Sequence, residues 1–293
     1  MQHQVAPRLA VGFVFYKRSI KNIQLTDRVL IDGTDYTAFN TTIPASEWAT
    51  IARDPAAAAV LDQNEVITLY NLNNASNADY NSAMVDRSSS DNQSLYTGME
   101  ASFSMRFLAG STIFGSWTAE RNVSVFCESD DNPNGPTSND LYQGRPVSQG
   151  GRFCDQRNFD IPFVQEFKLA GNYQLPKVGV DFGAVLQSYA GLERVITWQP
   201  AATLYPGGQR TQAQTIVLNE PGSLWTERWD QLDINFKKNI RYGNKVHTFQ
   251  LDLFNVFNNN SIRTVTDAVG TSLGQVTAIM PGRFPRLAYR FKW

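Results

Sequence analysis

Two cysteines, two histidines and a few clustered carboxylates are the residues whose types and spacing could support chemistry in this 293-residue sequence. Cys127 and Cys154 fall within one stretch, 126–162, with no histidine or second cysteine pair nearby that would suggest a zinc site. Outside the cytoplasm, a lone pair in one loop reads as a disulfide, and closing about 28 residues removes roughly 3–4 kcal/mol of chain entropy from the unfolded state. The run Glu128-Ser129-Asp130-Asp131-Asn132, with Asn134 and Asp140, offers oxygen ligands for calcium. It lacks the closing glutamate and ordered spacing of a calcium loop, so the expectation is a solvated loop. His247 would have to serve any Ser-His-Asp arrangement, yet no Gly-x-Ser-x-Gly turn accompanies it. It reads as a strand histidine, and His3 as part of an amino-terminal stub. Glu193 and Glu227 stand at loop edges, with no spacing that argues for a paired-carboxylate hydrolase. The sequence is expected to be a non-enzyme without cofactor or metal.

The elements that must carry these residues are strands. Period-2 alternation dominates. Leu95, Thr97, Met99, Ala101, Phe103, Met105 and Phe107 alternate with Tyr96, Gly98, Glu100, Ser102, Ser104 and Arg106. Phe163, Phe167, Leu169, Tyr173 and Leu175 oppose Glu166, Lys168, Asn172 and Gln174. Val180, Phe182, Ala184 and Leu186 oppose Asp181 and Gly183. Leu232, Ile234, Phe236 and Ile240 oppose Asp233, Asn235, Lys237 and Asn239. Leu287, Tyr289, Phe291 and Trp293 oppose Arg286, Ala288, Arg290 and Lys292.

The pattern predicts nine strands, at about 8–17, 20–29, 95–107, 110–125, 163–175, 178–190, 228–240, 245–258 and 284–293. Connections alternate in length. Lys17–Ile20, Leu108–Gly110, Pro176-Lys177 and Arg241–Asn244 are tight, whereas 30–94, 126–162, 191–227 and 259–283 are long. A soluble sandwich has no physical reason to keep this parity; a membrane barrel does, with short periplasmic turns and long extracellular loops. Within the first long loop, Asp54 to Leu61 could form a short helix and Glu65 to Tyr70 a strand above the membrane.

Composition agrees. Charged residues make up 18% and aromatics 12%, against a usual charged share of about 25%. A net charge of -1 with scattered basic residues argues against nucleic acid. No apolar run reaches the roughly 18 residues a membrane helix needs, but a barrel strand needs only about 10 of alternating polarity. Phe15, Tyr16, Trp117, Tyr189, Trp225, Trp229, Tyr242, Phe257 and Trp293 bunch near strand ends, as interfacial girdles do.

The segment Leu251-Asp252-Leu253-Phe254-Asn255-Val256-Phe257-Asn258, then Pro281-Gly282-Arg283-Phe284-Pro285-Arg286-Leu287-Ala288-Tyr289-Arg290-Phe291-Lys292-Trp293, resembles the final hairpin of TonB-dependent receptors. More narrowly it is similar to the Oar-like group. Pro162-Phe163 with Gln165, Lys168-Leu169, Gly171, Tyr173 and Leu175-Pro176 also resembles that group. So do Glu220-Pro221-Gly222-Ser223-Leu224 through Arg228 to Gln231-Leu232-Asp233, and Tyr16 to Asp27 followed by Asp35-Tyr36.

The resemblance implies a 22-stranded barrel, a plug domain in the lumen and uptake energised by the TonB complex. Residues 1–293 would then be the carboxy-terminal part of such a barrel, in the outer membrane of a Gram-negative-type cell. The chain departs from the family in showing no plug, no TonB box and no signal peptide. Expected partners are outer-membrane lipid, the barrel-assembly machinery, an unidentified extracellular ligand, and the TonB complex only through a plug. The machinery would read Leu287, Tyr289, Phe291 and Trp293 as its assembly signal. The expected lumen-facing set is Glu100, Arg106, Glu166, Lys168, Asp181, Asp233, Asn235, Lys237 and Arg290. Leu232, Ile234, Phe236, Val180, Phe182 and Ala184 are expected to face lipid. An outer-membrane adhesion or structural barrel, and a soluble carbohydrate-binding β-protein, are the alternatives. The transported ligand is not legible in the sequence.

Overall fold

The alternating segments form one antiparallel sheet. The computed structural model describes residues 2–80, 82–107, 110–128, 133–134, 141–142, 145–146 and 151–293. Its main sheet has nine strands: β1 (Gln2–Ala6), β2 (Leu9–Ile20), β3 (Gln93–Phe107), β4 (Ser111–Val125), β5 (Val164–Leu175), β6 (Val180–Tyr189), β7 (Trp229–Tyr242), β8 (Lys245–Phe254) and β9 (Phe284–Lys292). Each pairs with its neighbours in chain order, an uninterrupted up-and-down meander. Strands of up to 15 residues far exceed the five or six residues usual in globular domains.

All connections at one end are tight (7–8, 108–110, 176–179 and 243–244), and all at the other are long (21–92, 126–163, 190–228 and 255–283). Gly179 and Gly243 close two of the tight turns with φ of 60° and 56°, conformations a Cβ would strain. Residues 108 and 109 of the Leu108–Gly110 turn lie outside the described residues.

The first hairpin differs from the sequence expectation. No turn forms at Lys17–Ile20; β2 runs unbroken through it, and 20–29 is not a strand of the main sheet. The turn sits instead at Pro7-Arg8, so Gln2–Ala6 is a strand rather than a stub, and His3 pairs with Val11. The physical reason is local. Lys17-Arg18-Ser19-Ile20 contains no Gly, Pro or Asn to turn the chain, whereas Pro fixes its own φ and Arg8 adopts φ 76°. Gln24–Asp27 pairs instead with Val85–Ser88, inside the first long connection.

The buried core lies in the long connections, not under the sheet. Tyr36–Thr41 pairs with Ile67–Leu72, and two short helices lie between them, α1 (Ala45–Ile51) and α2 (Pro55–Ala58). The expected helix within 54–61 and the expected strand near 65–70 are both present. Helix α1 was not expected; it buries Ile51, with Trp48 one turn earlier packed against the same cluster. Helix α2 starts where Asp54 caps it, accepting from Ala56 N–H at 3.1 Å and Ala57 N–H at 3.3 Å, with Pro55 in the first turn. Among the described residues no helix is long and apolar enough to cross a membrane.

Candidate functional site

Register converts the strand pattern into two sheet faces. One row of partners runs Phe13, Ala101, Trp117, Phe167, Ser188, Asp230 across β2 to β7. Further toward the turns, Gly171, Ala184, Ile234, Leu253 and Pro285 share that face, as do Tyr173, Phe182, Phe236, Leu251 and Leu287. The opposite face carries Arg106, Thr112, Asn172, Gly183, Asn235 and Asp252 in one row, and Gln174, Asp181, Lys237 and Gln250 in the next. The same bookkeeping puts Glu100 and Glu166 on this polar face, each opposite Thr118. Lys168, opposite Gln187, Asp233, opposite Val185, and Arg290, opposite Thr248, complete it. The nine residues expected to face a lumen thus share one face. Leu287, Tyr289 and Phe291 stand on the other, with every residue expected to face lipid.

The two faces differ in chemistry. Polar side chains bond along a strand, Gln231 to Asp233 at 2.8 Å, and across neighbouring strands, Tyr96 to Glu120 at 2.8 Å and Arg286 to Asp252 at 2.8 Å, with Lys237 and Asp181 3.9 Å apart. The apolar face is uncovered: Phe15 is 56% exposed, Phe167 48% and Leu287 81%. His247 lies on this face, its Nδ1 2.8 Å from the Tyr289 hydroxyl and its ring against Phe291. The aromatics near strand ends do not form one outward set. Phe15 and Trp117 are on the apolar face, but Tyr189 and Trp229 stack at 4.3 Å on the polar one. Alternation alone separates Phe15 from its neighbour Tyr16.

No family model and no curated protein matches the chain. Among solved structures, the fold is similar to the outer membrane transporter YddB from Escherichia coli, at 12% identity and a TM-score of 0.44. The match covers 98% of this chain and 30% of the transporter, so the chain spans about a third of that protein's length.

Above the sheet the four long connections pack into one layer. Ile43, Ile51, Ala57, Ile67 and Leu69 from the first, Ile196, Trp198, Ile216, Leu218 and Leu224 from the third, and Leu273 from the fourth form a single buried cluster. At its edge sits an ion triad. Arg194 Nη2 donates to Asp54 Oδ2 at 2.6 Å and Arg194 Nε to Asp267 Oδ1 at 2.8 Å, with Asp54 and Arg194 almost fully buried. These three residues come from three different connections.

Burial opposes the Asp54 charge, but hydrogen bonds from Arg194 and the α2 amides outweigh it and hold the carboxyl below its ordinary value. Burial dominates at Asp267 and pushes its carboxyl up. Gly274, at φ 76°, lies against Asp54, where a Cβ would come within 3.0 Å of the carboxylate. Sequence reasoning missed this triad. Only the Asp54-Pro55 helix start was readable, and its ion partner is 140 residues away.

The second connection joins the layer through Arg152, which donates to the Val217 carbonyl at 3.1 Å and pairs with Glu65. Glu193 accepts from Gly222 N–H at 2.6 Å and Glu227 from Ile262 N–H at 3.1 Å, so both carboxylates brace loop backbone. Glu128 accepts from Ser89 and Arg87, which hold its carboxyl below the usual range. The rest of the acidic stretch expected to be a solvated loop, at 129–132 and 140, lies outside the described residues. Asn134, described, instead pairs both ways with the Tyr70 backbone, at 2.8 and 2.9 Å.

Cys127 and Cys154 form a disulfide, beside a Phe126 N–H to Cys154 carbonyl bond of 2.8 Å. The bridge pins Cys154, within the second connection, to the start of that connection directly after β4. Changing both cysteines to serine is expected to destabilise this connection by about 3 kcal/mol, read as faster protease cleavage within 126–163 while the sheet stays intact. Unchanged cleavage would show that the loop layer holds this segment without the bridge.

Proposed function

We propose that this chain forms part of the wall and the outer loops of an outer-membrane transport barrel of the TonB-dependent receptor class, in the Oar-like manner. The observation that carries the reading is the uncovered apolar face. In a soluble sheet protein the apolar face is where the core lies, under a second layer. Here the sheet exposes Phe13, Phe15, Phe167, Leu251, Leu287 and Tyr289 on one face, while the buried cluster sits in the loops. Such an area in water is an aggregation liability; against hydrocarbon it is the favourable state. The parity of tight turns and long connections supports the same orientation, turns inward to the periplasm and the loop layer outward.

The polar face then lines the water-filled lumen, and Leu287, Tyr289, Phe291 and Trp293 form the carboxy-terminal assembly signal. The outer edges of β1 and β9 present unpaired backbone groups, at several kcal/mol each in lipid, and nine antiparallel strands cannot close on themselves with the ends antiparallel. In this reading further strands complete the wall, and a plug and the TonB complex supply gating and energy. The loop layer is the surface that would meet the extracellular ligand.

The test is solvent preference. The chain should stay dissolved and strand-rich by circular dichroism in alkyl-maltoside micelles, and should aggregate when detergent is removed. A monodisperse, folded chain in buffer without detergent would overturn the membrane reading.

A further inference from the structure

The apolar face is not uniformly apolar. At the loop end of its strands Lys17 and Arg121 share one register row, each opposite Thr97. Arg121 lies 5.0 Å over the Phe163 ring and Arg228 5.7 Å over the Phe167 ring. Arg228 is held in place: Nε donates to Ser188 Oγ at 2.9 Å, Nη1 to the Gln165 carbonyl at 3.0 Å, and Nη2 to the Gln165 and Ser188 carbonyls at 2.9 and 3.3 Å. All of these acceptors are neutral, and among the described residues neither guanidinium has a carboxylate partner. Below them the same face carries a cavity of about 970 Å³, walled by Phe103, Trp117, Phe167, Leu169, Leu186 and Phe257. Ser188 and Asp230, in the same row as Trp117 and Phe167, also line it, as do Asn259, Ser102, Ser116 and Lys168.

We infer that this is a binding groove for a phosphate-bearing acylated lipid of the outer leaflet, its chain in the aromatic cavity and its phosphate on Arg228 and Arg121. The inference rests on the outer-membrane reading. The charge pattern selects the occupant. A chain without a charged head leaves the hydrogen-bonded guanidinium of Arg228 and the ring-stacked guanidinium of Arg121 uncompensated at the hydrocarbon boundary, where arginine favours phosphate through paired N–H donors. Free phosphate makes no use of the aromatic walls. Asp230, two residues nearer the turns than Arg228 on the same face, repels an anion from the cavity, which places the phosphate on the loop side of Arg228.

The full chain in alkyl-maltoside micelles is titrated with dioleoyl phosphatidic acid, with dioleoylglycerol, and with inorganic phosphate, following Trp fluorescence. Phosphatidic acid should bind at least tenfold tighter than dioleoylglycerol, and inorganic phosphate at millimolar concentration should not displace it. At about fivefold per cation near a membrane surface, Arg121→Gln with Arg228→Gln should weaken phosphatidic acid binding roughly 25-fold and leave dioleoylglycerol binding unchanged. If Arg228→Gln fails to fold, because Arg228 ties Gln165 to Ser188, Arg121→Gln alone should weaken binding about fivefold. Equal binding of the two lipids, or unchanged affinity in the folded variants, overturns the lipid site and leaves the membrane reading standing if the chain still requires detergent. Solubility without detergent overturns both.

Discussion

Replacing Arg194 by Met should loosen the whole loop layer, by about 3–5 kcal/mol, while leaving the sheet in place. The magnitude follows from what the substitution strands. Asp54 and Asp267 both lose their cation, and an uncompensated charge in a buried site costs about that much. Because the triad joins the first, third and fourth connections, amide exchange should rise together in α2, at Ile196–Trp198 and near Asp267, not in one loop alone. The triple change Asp54→Asn, Arg194→Met, Asp267→Asn should recover much of the loss, since no charge is then buried and Asn still caps α2. A loss below about 1 kcal/mol in Arg194→Met, measured from exchange of the Ile196 amide, would show that the apolar cluster alone holds the layer.

The same variant has a pH signature of determinate sign. In the native triad Asp54 is held below its ordinary value, so its contribution is present above the unfolded carboxylate pKa of about 3.9 and is lost as pH falls through the folded value. Asp267 is pushed up and acts oppositely, costing stability at neutral pH until it is protonated. Without Arg194, only backbone N–H bonds, from Ala56 and Ala57 to Asp54 and from Val195 to Asp267, still oppose burial, so both carboxyls rise relative to the native triad. The deficit of Arg194→Met is then largest near pH 7 and shrinks as pH falls toward 4, where both groups take up protons. A deficit that grows on acidification would contradict the electrostatic origin.

How much of this was legible in the sequence depends on the range of the signal. Strand facing is a local, period-2 property, so Asp233, Asn235 and Lys237 could be set against Leu232, Ile234 and Phe236 from residue order alone, and register then puts them on opposite faces. The disulfide was legible because its two cysteines share one connection. The first hairpin was misread because the apolar alternation of Val11, Phe13 and Phe15 ends at Lys17 although the strand continues to Ile20, so the end of a pattern is not the end of a strand; the turn chemistry of Pro7-Arg8 decided where the chain reverses. The loop layer was almost wholly illegible. Ile67, Trp198 and Leu273 meet in one cluster through contacts between segments more than 70 residues apart, and short segments without period carry no sign of their partners. The same holds for Arg194, whose two carboxylates come from opposite ends of the chain.

Ile234→Arg should impair folding into a membrane far more than Asn235→Arg, though the two positions are adjacent. Ile234 lies in mid-strand between Ala184 and Leu253 on the apolar face, and Asn235 between Gly183 and Asp252 on the polar one. An arginine facing hydrocarbon near the midplane costs about 2–4 kcal/mol. At 235 the new guanidinium stands beside Asp252 and Asp233 on a face already built for charge, so its cost should stay within about 1 kcal/mol. Room is the competing consideration: a Cβ on Gly183 would come within 2.5 Å of the Asn235 amide. The longer arginine must therefore extend along the strand instead of lying across β6, which its flexible stem permits. A slip of one residue in β7 would exchange the two positions and turn Asp233, Lys237 and Arg241 toward lipid, so register cannot relax to rescue Ile234→Arg. The comparison is made in a complete barrel carrying this segment, refolded with each variant into phosphatidylcholine vesicles, by measuring urea midpoints. Cysteines placed singly at 234 and 235, in a background with Cys127 and Cys154 changed to serine, report facing with a membrane-impermeant maleimide. Position 235 should label from the aqueous phase and position 234 should not. Equal penalties for the two arginines, together with ready labelling at 234, would mean that this face meets water and that the sheet is not a membrane wall.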